Sequence, residues 1–307
     1  MNAGLRAAVR MAIYEGYEVC VIGSGYNGMI SGDIYPVVRG SMANIIQRGG
    51  TIIKTGRSQE FMKPEGRSKA YQNLQKYQVD ALVCIGGDGS FRGAHALWQE
   101  HAVPIVGIPG TIDNDVHGTD FTIGFDTAVN TALEAIDRIR DTAASHDRLF
   151  IVEVMGRNAG FIALDVGLAG GAEAVFIPEG GTTVDDAVEQ IKRGIARGKM
   201  SSILVTGEGK KPGRAYDLAD SIRKKSGFDA KVCVLGHVQR GGSPSASDRI
   251  LASRLGAAAV TSLKSGTCDV MCGIINSKVV QTPLEETFSI RRPVPTELLE
   301  LLSILAQ

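Results

Sequence analysis

The chain of 307 residues carries 33 basic and 33 acidic side chains, so its formal net charge is zero. That balance leaves no basic excess to hold nucleic acid or an anionic membrane surface, and no apolar run reaches the length of a membrane span. With 44% apolar and 21% charged residues, the composition is that of a globular protein large enough for two domains.

In chain order, residues 1–15 read as a helix with Leu5, Ala8, Val9, Ala12 and Ile13 on one face. A strand is expected over 17–22, followed by the glycine-rich Gly23-Ser24-Gly25-Tyr26-Asn27-Gly28. Gln47-Arg48-Gly49-Gly50-Thr51 leads to a further strand and then to Arg57. The polar segment 63–78 has a helical pattern and runs into a strand over 81–84. That strand opens into Ile85-Gly86-Gly87-Asp88-Gly89-Ser90. Its glycines let the backbone approach a ligand and aim N–H groups at anionic oxygens. A helix starting near Ser90 points its positive end the same way. Asp88 is electrostatically awkward among phosphates unless a Mg2+ ion lies between them.

The apolar run 103–108 reads as a buried strand, and Pro109-Gly110-Thr111-Ile112-Asp113-Asn114-Asp115 leaves it. In an open α/β sheet, loops at the carboxyl ends of strands line the ligand crevice. One carboxylate here suits taking a proton from an alcohol while the other faces a cation. Thr111 adds a hydroxyl donor. An isolated Asp-Asn-Asp reads as a turn, but beside the upstream phosphate cradle it reads as the complementary half of a site.

A long amphipathic helix follows to about residue 143, carrying Val129, Leu133, Ile136 and Ile139. Arg148 precedes a strand over 149–154 that ends in Met155-Gly156-Arg157. Strands over 174–177, 203–206 and 232–235 alternate with helices, a rhythm that argues for parallel sheets. Glu208, after the 203–206 strand, suits sugar hydroxyls. His237 and Arg240 follow the next strand beside a Gly-Gly turn, an arrangement that suits a sugar phosphate, although a lone histidine at such a place also reads as a structural hydrogen-bonder. A helix over 245–265 and a terminal helix within 285–307 complete the chain. His95, His101, His117 and His146 lack metal-ligand spacing and read as structural. Of the five cysteines, Cys20, Cys84, Cys233, Cys268 and Cys272, four lie in strand-like runs and read as buried free thiols. Cys268 and Cys272 have no second pair to complete a metal clip. Unpaired thiols suit a reducing cytoplasmic location.

Four motifs stand in one order: Gly86-Gly87-Asp88-Gly89-Ser90, Pro109 to Asp115, Met155-Gly156-Arg157, and Gly236-His237-Val238-Gln239-Arg240-Gly241-Gly242-Ser243-Pro244. On these the chain resembles bacterial-type ATP-dependent 6-phosphofructokinases over nearly its whole length. The resemblance implies an α/β fold of two doubly wound, parallel-sheet (Rossmann-like) domains. Residues 1–124 plus 240–307 would form the ATP and Mg2+ domain, and 125–239 the sugar-phosphate domain.

The implied reaction moves the γ-phosphoryl group of ATP to O1 of fructose 6-phosphate. Asp113 would be the general base on the 1-hydroxyl. Gly87, Asp88, Gly89 and Ser90 would hold the nucleotide, with Asp88 on Mg2+ and Asp115 helping through water. Thr111, Arg57 and Arg157 would steady the moving group. Met155, Gly156, Arg157, Glu208, His237 and Arg240 would bind the sugar phosphate. Arg148 and Lys231 match two basic residues that come from a neighbouring subunit of a homotetramer. Lys231 replaces the usual arginine, keeping the charge but losing the planar fork. Tyr26 matches a position near the adenine; packing on its own turn is the equal alternative.

Arg6, Arg10, Arg39, Arg140, Arg197 and Lys199 match basic positions around a regulatory pocket for a nucleoside diphosphate or phosphoenolpyruvate. Gly171 and Glu173 match its backbone and metal contacts. The family opens on a strand and a Gly-Gly-Asp-x-Pro-Gly loop ahead of the Met-Asn-Ala that starts this sequence. A miscalled start or a fragment is the expected explanation, and the chain as written is expected to fold poorly or turn over little. Two rivals remain: a regulatory or impaired subunit, and a pyrophosphate-dependent relative. In the family an aspartate at the Gly89 position and a lysine at the Gly110 position go with pyrophosphate, so the two glycines favour ATP.

Overall fold

The computed structural model describes residues 1–38, 40–144, 149–199 and 201–306. The elements begin with α1 (Asn2–Tyr14), β1 (Cys20–Ile22), α2 (Tyr26–Ser31), β2 (Ile34–Pro36) and α3 (Pro64–Lys76). Next come β3 (Leu82–Gly86), α4 (Asp88–His101), β4 (Ile105–Pro109), α5 (Phe125–Ala144) and β5 (Leu149–Val154). Then follow α6 (Phe161–Ala169), β6 (Ala174–Phe176), α7 (Val184–Ala196), β7 (Ser202–Gly207), α8 (Arg214–Ser226) and β8 (Ala230–Val234). A 3-10 turn (Gly236–Arg240), α9 (Ala246–Lys264), β9 (Val270–Ile275), β10 (Lys278–Pro283), α10 (Leu284–Ser289) and α11 (Glu297–Leu305) finish the chain. None of these helices, among the described residues, is long and apolar enough to cross a membrane.

The chain divides into two compact units. The first holds Met1–Thr111, Val116–Gly124 and Ser243–Arg292. Its main sheet has the order β10-β9-β4-β3, with β3, β4 and β9 parallel and β10 antiparallel. β4 is buried at every position, as an apolar run paired on both sides should be. Ile105 packs with Phe91, Leu97 and Leu284. Val106 and Ile108 face Ala252, Leu255 and Cys272. A Cβ on Gly107 would come within 2.7 Å of the Phe91 ring, so the close approach of α4 to the sheet needs that glycine.

The second unit holds Ile112–Asp115, Phe125–Gly242 and Pro293–Gln307. Its sheet, β6-β7-β5-β8, is wholly parallel. β7 is buried throughout, and α6 is apolar nearly all round because it lies inside the core. α7 begins with a reciprocal cap between Thr183 and Asp186.

Several expectations need correction. The strand expected between Thr51 and Arg57 does not form. The Ile52 N–H donates to Asn2 Oδ1 at 2.8 Å and the Ile53 carbonyl accepts from the Ser24 N–H at 2.7 Å, so this backbone is satisfied without a ladder. The hairpin β9–β10 was not anticipated. Its two-residue turn, Asn276-Ser277, has φ of 49° and 64°, the paired positive values of a type I′ turn. Residues 293–307 were expected with the first domain but belong to the second unit, because Val294 and Leu302 join its core. Of the five cysteines only Cys272 is buried; Cys20 is exposed, since its strand belongs to a two-stranded ribbon.

Candidate active site

In the first unit, β3 delivers the chain to Gly87 and α4 begins at Asp88, two residues earlier than expected. A Cβ on Gly86 would meet Ser90 Oγ at 2.2 Å, and one on Gly87 would press on Thr111 at 3.3 Å. The turn is therefore packed tightly against the exit of β4. Gly110 N–H donates to the Gly86 carbonyl at 2.8 Å, and Thr122 Oγ1 donates to the Thr111 carbonyl at 2.6 Å. By contrast, a Cβ on Gly89 would meet nothing within 4 Å. Gly110 has a packing reason of its own, since a Cβ there would lie 2.9 Å from Ile85 Cγ2.

Asp88, in the first turn of α4, is exposed and ion-paired with Arg92. Arg92 also donates to the Phe288 carbonyl at 2.8 Å and lies 4.5 Å from that ring's centroid. Among the described residues no cluster of three or more His, Cys, Asp or Glu side chains is poised for a metal ion. Mg2+ is nonetheless commonly held by one or two carboxylates together with substrate phosphates, and the exposed Asp88 supplies one such carboxylate. Tyr26 stacks on Phe61 at 3.8 Å, and its hydroxyl donates to the Ser90 carbonyl. Its ring is thus already used in packing. Arg57 is exposed, and its carbonyl accepts from Asn27 Nδ2 at 3.3 Å.

From Thr111 the chain passes into the second unit as Ile112–Asp115. Asn114 takes a left-handed conformation, φ 54°, just after a bend at Ile112 and Asp113. Asp113 is buried and Asp115 exposed. Arg157 Nε stands 3.8 Å from Asp113 Oδ2. The Arg157 N–H donates to Glu208 Oε1 at 3.2 Å, and the Glu208 N–H donates to the Val154 carbonyl at 2.9 Å. Burial pushes the Asp113 carboxyl above its ordinary pKa; the Arg157 and Arg240 charges oppose this, and Glu208 adds to it. A buried carboxylate made more basic, with two guanidinium groups near it, suits proton abstraction beside an anionic substrate.

Met155 is buried, and a Cβ on Gly156 would meet the Ala159 carbonyl at 2.6 Å. His237 and Arg240 are exposed on the 3-10 turn. Lys231 pairs with Asp229 at 2.7 Å on the surface. Arg148 and Arg39 lie outside the described residues. Of the regulatory candidates, Arg140 donates to the Gly171 carbonyl at 3.2 Å, and Lys199 is ion-paired with the buried Glu173. Arg197 donates to the Ala306 carbonyl at 3.1 Å. Arg6 and Arg10 belong to α1 of the first unit. Sequence reasoning gave no role to Gln239 or Arg92. A polar residue inside a quoted motif was the available signal for Gln239.

Each unit is thus an α/β body with glycine-rich loops at the carboxyl ends of its parallel strands, and the second holds a buried carboxylate beside Arg157. A family model described as phosphofructokinase matches residues 1–263. The chain belongs to the phosphofructokinase family. It is 58% identical to ATP-dependent 6-phosphofructokinase 1 of Thermus thermophilus, covering 100% of this chain and 95% of that one. It is 52% identical to the ATP-dependent 6-phosphofructokinase of Halalkalibacterium halodurans, covering 98% and 93%. A solved phosphofructokinase from Saccharomyces cerevisiae has 36% identity and a TM-score of 0.87. That match covers 94% of this chain but only 43% of the yeast chain.

Proposed function

We propose that this chain is an ATP-dependent 6-phosphofructokinase of glycolysis. It moves the γ-phosphoryl group of ATP to O1 of D-fructose 6-phosphate, giving fructose 1,6-bisphosphate and ADP. The carrying observation is the placement of buried Asp113 against Arg157, together with the similarity to ATP-dependent 6-phosphofructokinases over nearly the whole chain.

Asp113 takes the proton of the 1-hydroxyl as the phosphoryl group arrives. Burial makes it a better base, and Arg157 keeps it ionised. Thr111, Arg57 and Arg157 attend the transferring group, and Met155, Gly156, Glu208, His237 and Arg240 hold the sugar phosphate. The backbone of Gly87, Gly89 and Ser90 holds nucleotide phosphate at the start of α4. Asp88, with Asp115 through water, would hold Mg2+, which when bound neutralises charge on the phosphates. The open space at Gly89 favours a nucleotide over a smaller donor. The first unit serves the nucleotide and the second the sugar phosphate. The working form is a cytoplasmic homotetramer in which Arg148 and Lys231 serve a neighbouring site. Nucleoside diphosphate or phosphoenolpyruvate acts at Arg6, Arg10, Arg39, Arg140, Gly171, Glu173, Arg197 and Lys199.

A coupled assay with fructose 6-phosphate and either ATP or pyrophosphate tests this reading. Turnover with ATP is expected. Turnover with pyrophosphate alone contradicts it.

A further inference from the structure

Gln239 is the fourth residue of the turn Gly236–Arg240. It is 1% exposed, while His237, Val238 and Arg240 around it are exposed. A buried amide must satisfy both its ends. Its Oε1 accepts the Met155 N–H at 2.8 Å, and its Nε2 donates to the Ala128 carbonyl at 3.4 Å. One side chain therefore ties the basic turn to the end of β5 and to α5.

Met155 opens a loop that passes through Gly156, φ 133°, to Arg157, φ 52°. Both conformations are unusual, and Arg157 holds its own without the freedom of glycine. The loop is pinned at its first residue by Gln239 and at its third by the bond from Arg157 N–H to Glu208. Arg157 then reaches Asp113. The residue after Gln239 is Arg240, the other guanidinium whose charge bears on Asp113.

We propose that Gln239 is a positioning residue that locks the Met155-Gly156-Arg157 loop to the His237–Arg240 turn, and so sets where Arg157 and Arg240 stand around Asp113. The consequence for catalysis rests on the sugar-phosphate role proposed above; the mechanical coupling of the two loops does not. Gln239 acts through these residues and touches no substrate.

Gln239→Leu keeps most of the volume and removes both hydrogen bonds. Two readouts test the idea. The first is hydrogen exchange on the full chain without substrate. In the wild type the Met155 amide should exchange slowly although it lies past the end of a strand. In Gln239→Leu, exchange should rise on the order of tenfold within 155–157 and 236–242, and little elsewhere. The second is steady-state kinetics, in which KM for fructose 6-phosphate should rise about tenfold while KM for ATP stays put. Fast exchange of the wild-type Met155 amide, or exchange raised evenly across the second unit, overturns the coupling. Localised exchange with unchanged KM for the sugar phosphate overturns the positioning role. Should the leucine variant not fold, Gln239→Met fills the same space more adaptably. Failure of the wild type to phosphorylate fructose 6-phosphate would refute the function, and the exchange pattern would still decide the coupling.

Discussion

Arg157 Nε lies 3.8 Å from Asp113 Oδ2, with the arginine side chain half exposed and the aspartate buried. The pair is unequal by design of the site. Burial alone would favour a protonated, inert carboxyl, and the nearby guanidinium charge opposes that.

A pH dependence follows. Asp113 must be ionised to accept a proton, so kcat falls as pH drops through its pKa, which burial raises. Arg157→Met removes the leading opposing charge and should move the acid limb of the kcat profile to higher pH, besides lowering its plateau. An acid limb at unchanged or lower pH would mean that Arg157 does not tune Asp113.

Replacing the base itself is a separate matter. Asp113→Ser should lower kcat on the order of 10²–10⁴-fold and raise KM for fructose 6-phosphate much less. Steady-state rates against both substrates read the split. A variant with near-normal kcat would remove Asp113 from the mechanism.

Much of this was legible in the sequence, for physical reasons that differ by residue. β5 was expected over 149–154 and forms over Leu149–Val154, because a largely buried parallel strand reads as an apolar run, here interrupted only by Glu153. The β9–β10 hairpin was not legible because its signal is Asn276-Ser277 rather than the commoner Asn-Gly pair. Ile52 and Ile53 looked like a strand, yet they pack into a small cluster from an irregular segment. At the site, Asp113 and Arg157 were read from motifs and Glu208 from its place after a strand, and the three meet in the second unit. Gln239 was in plain view but its role depends on a contact 84 residues away, with Met155. Tyr26 and Lys231 carry local contacts, with Phe61 and Asp229, that no sequence pattern announced.

The two glycines expected from the resemblance to favour ATP should behave differently. Gly89→Asp meets open space, so the protein should stay folded while KM for ATP rises. Gly110→Ala drives a Cβ toward Ile85 at 2.9 Å and should cost stability, on the order of 1–3 kcal/mol. Thermal melting and KM for ATP, measured on both, separate the effects. Equal loss of stability in the two would contradict the assignment.

Lys199→Ala leaves the buried Glu173 carboxylate without its ion pair. It should therefore destabilise as well, by about 1–3 kcal/mol once the partial exposure of Lys199 is allowed for. Arg10→Ala, on exposed α1 surface, is the cleaner change. It should abolish the response to nucleoside diphosphate or phosphoenolpyruvate and leave the maximal rate intact. An enzyme whose wild type ignores both effectors has no such site.

Glu153 illustrates how the second unit holds its loops. Its buried carboxylate accepts the N–H groups of Gly213 and Ala215 at 2.8 Å each, at the start of α8. Glu153→Ala leaves both donors unpaired, at a cost of about 1–3 kcal/mol for each one that stays buried. Melting temperature should fall clearly, and an unchanged value would show that water replaces the carboxylate.

The most direct measurement is phosphorus NMR of fructose 6-phosphate mixed with ATP and Mg2+, run with the wild type and with Asp113→Asn at equal concentration. The wild type should convert the sugar phosphate to fructose 1,6-bisphosphate, one ADP appearing for each new phosphate on O1, and the variant should do so on the order of 10²–10⁴-fold more slowly. Phosphorylation at another position, or equal rates in the two proteins, would contradict Asp113 as the base for transfer to O1.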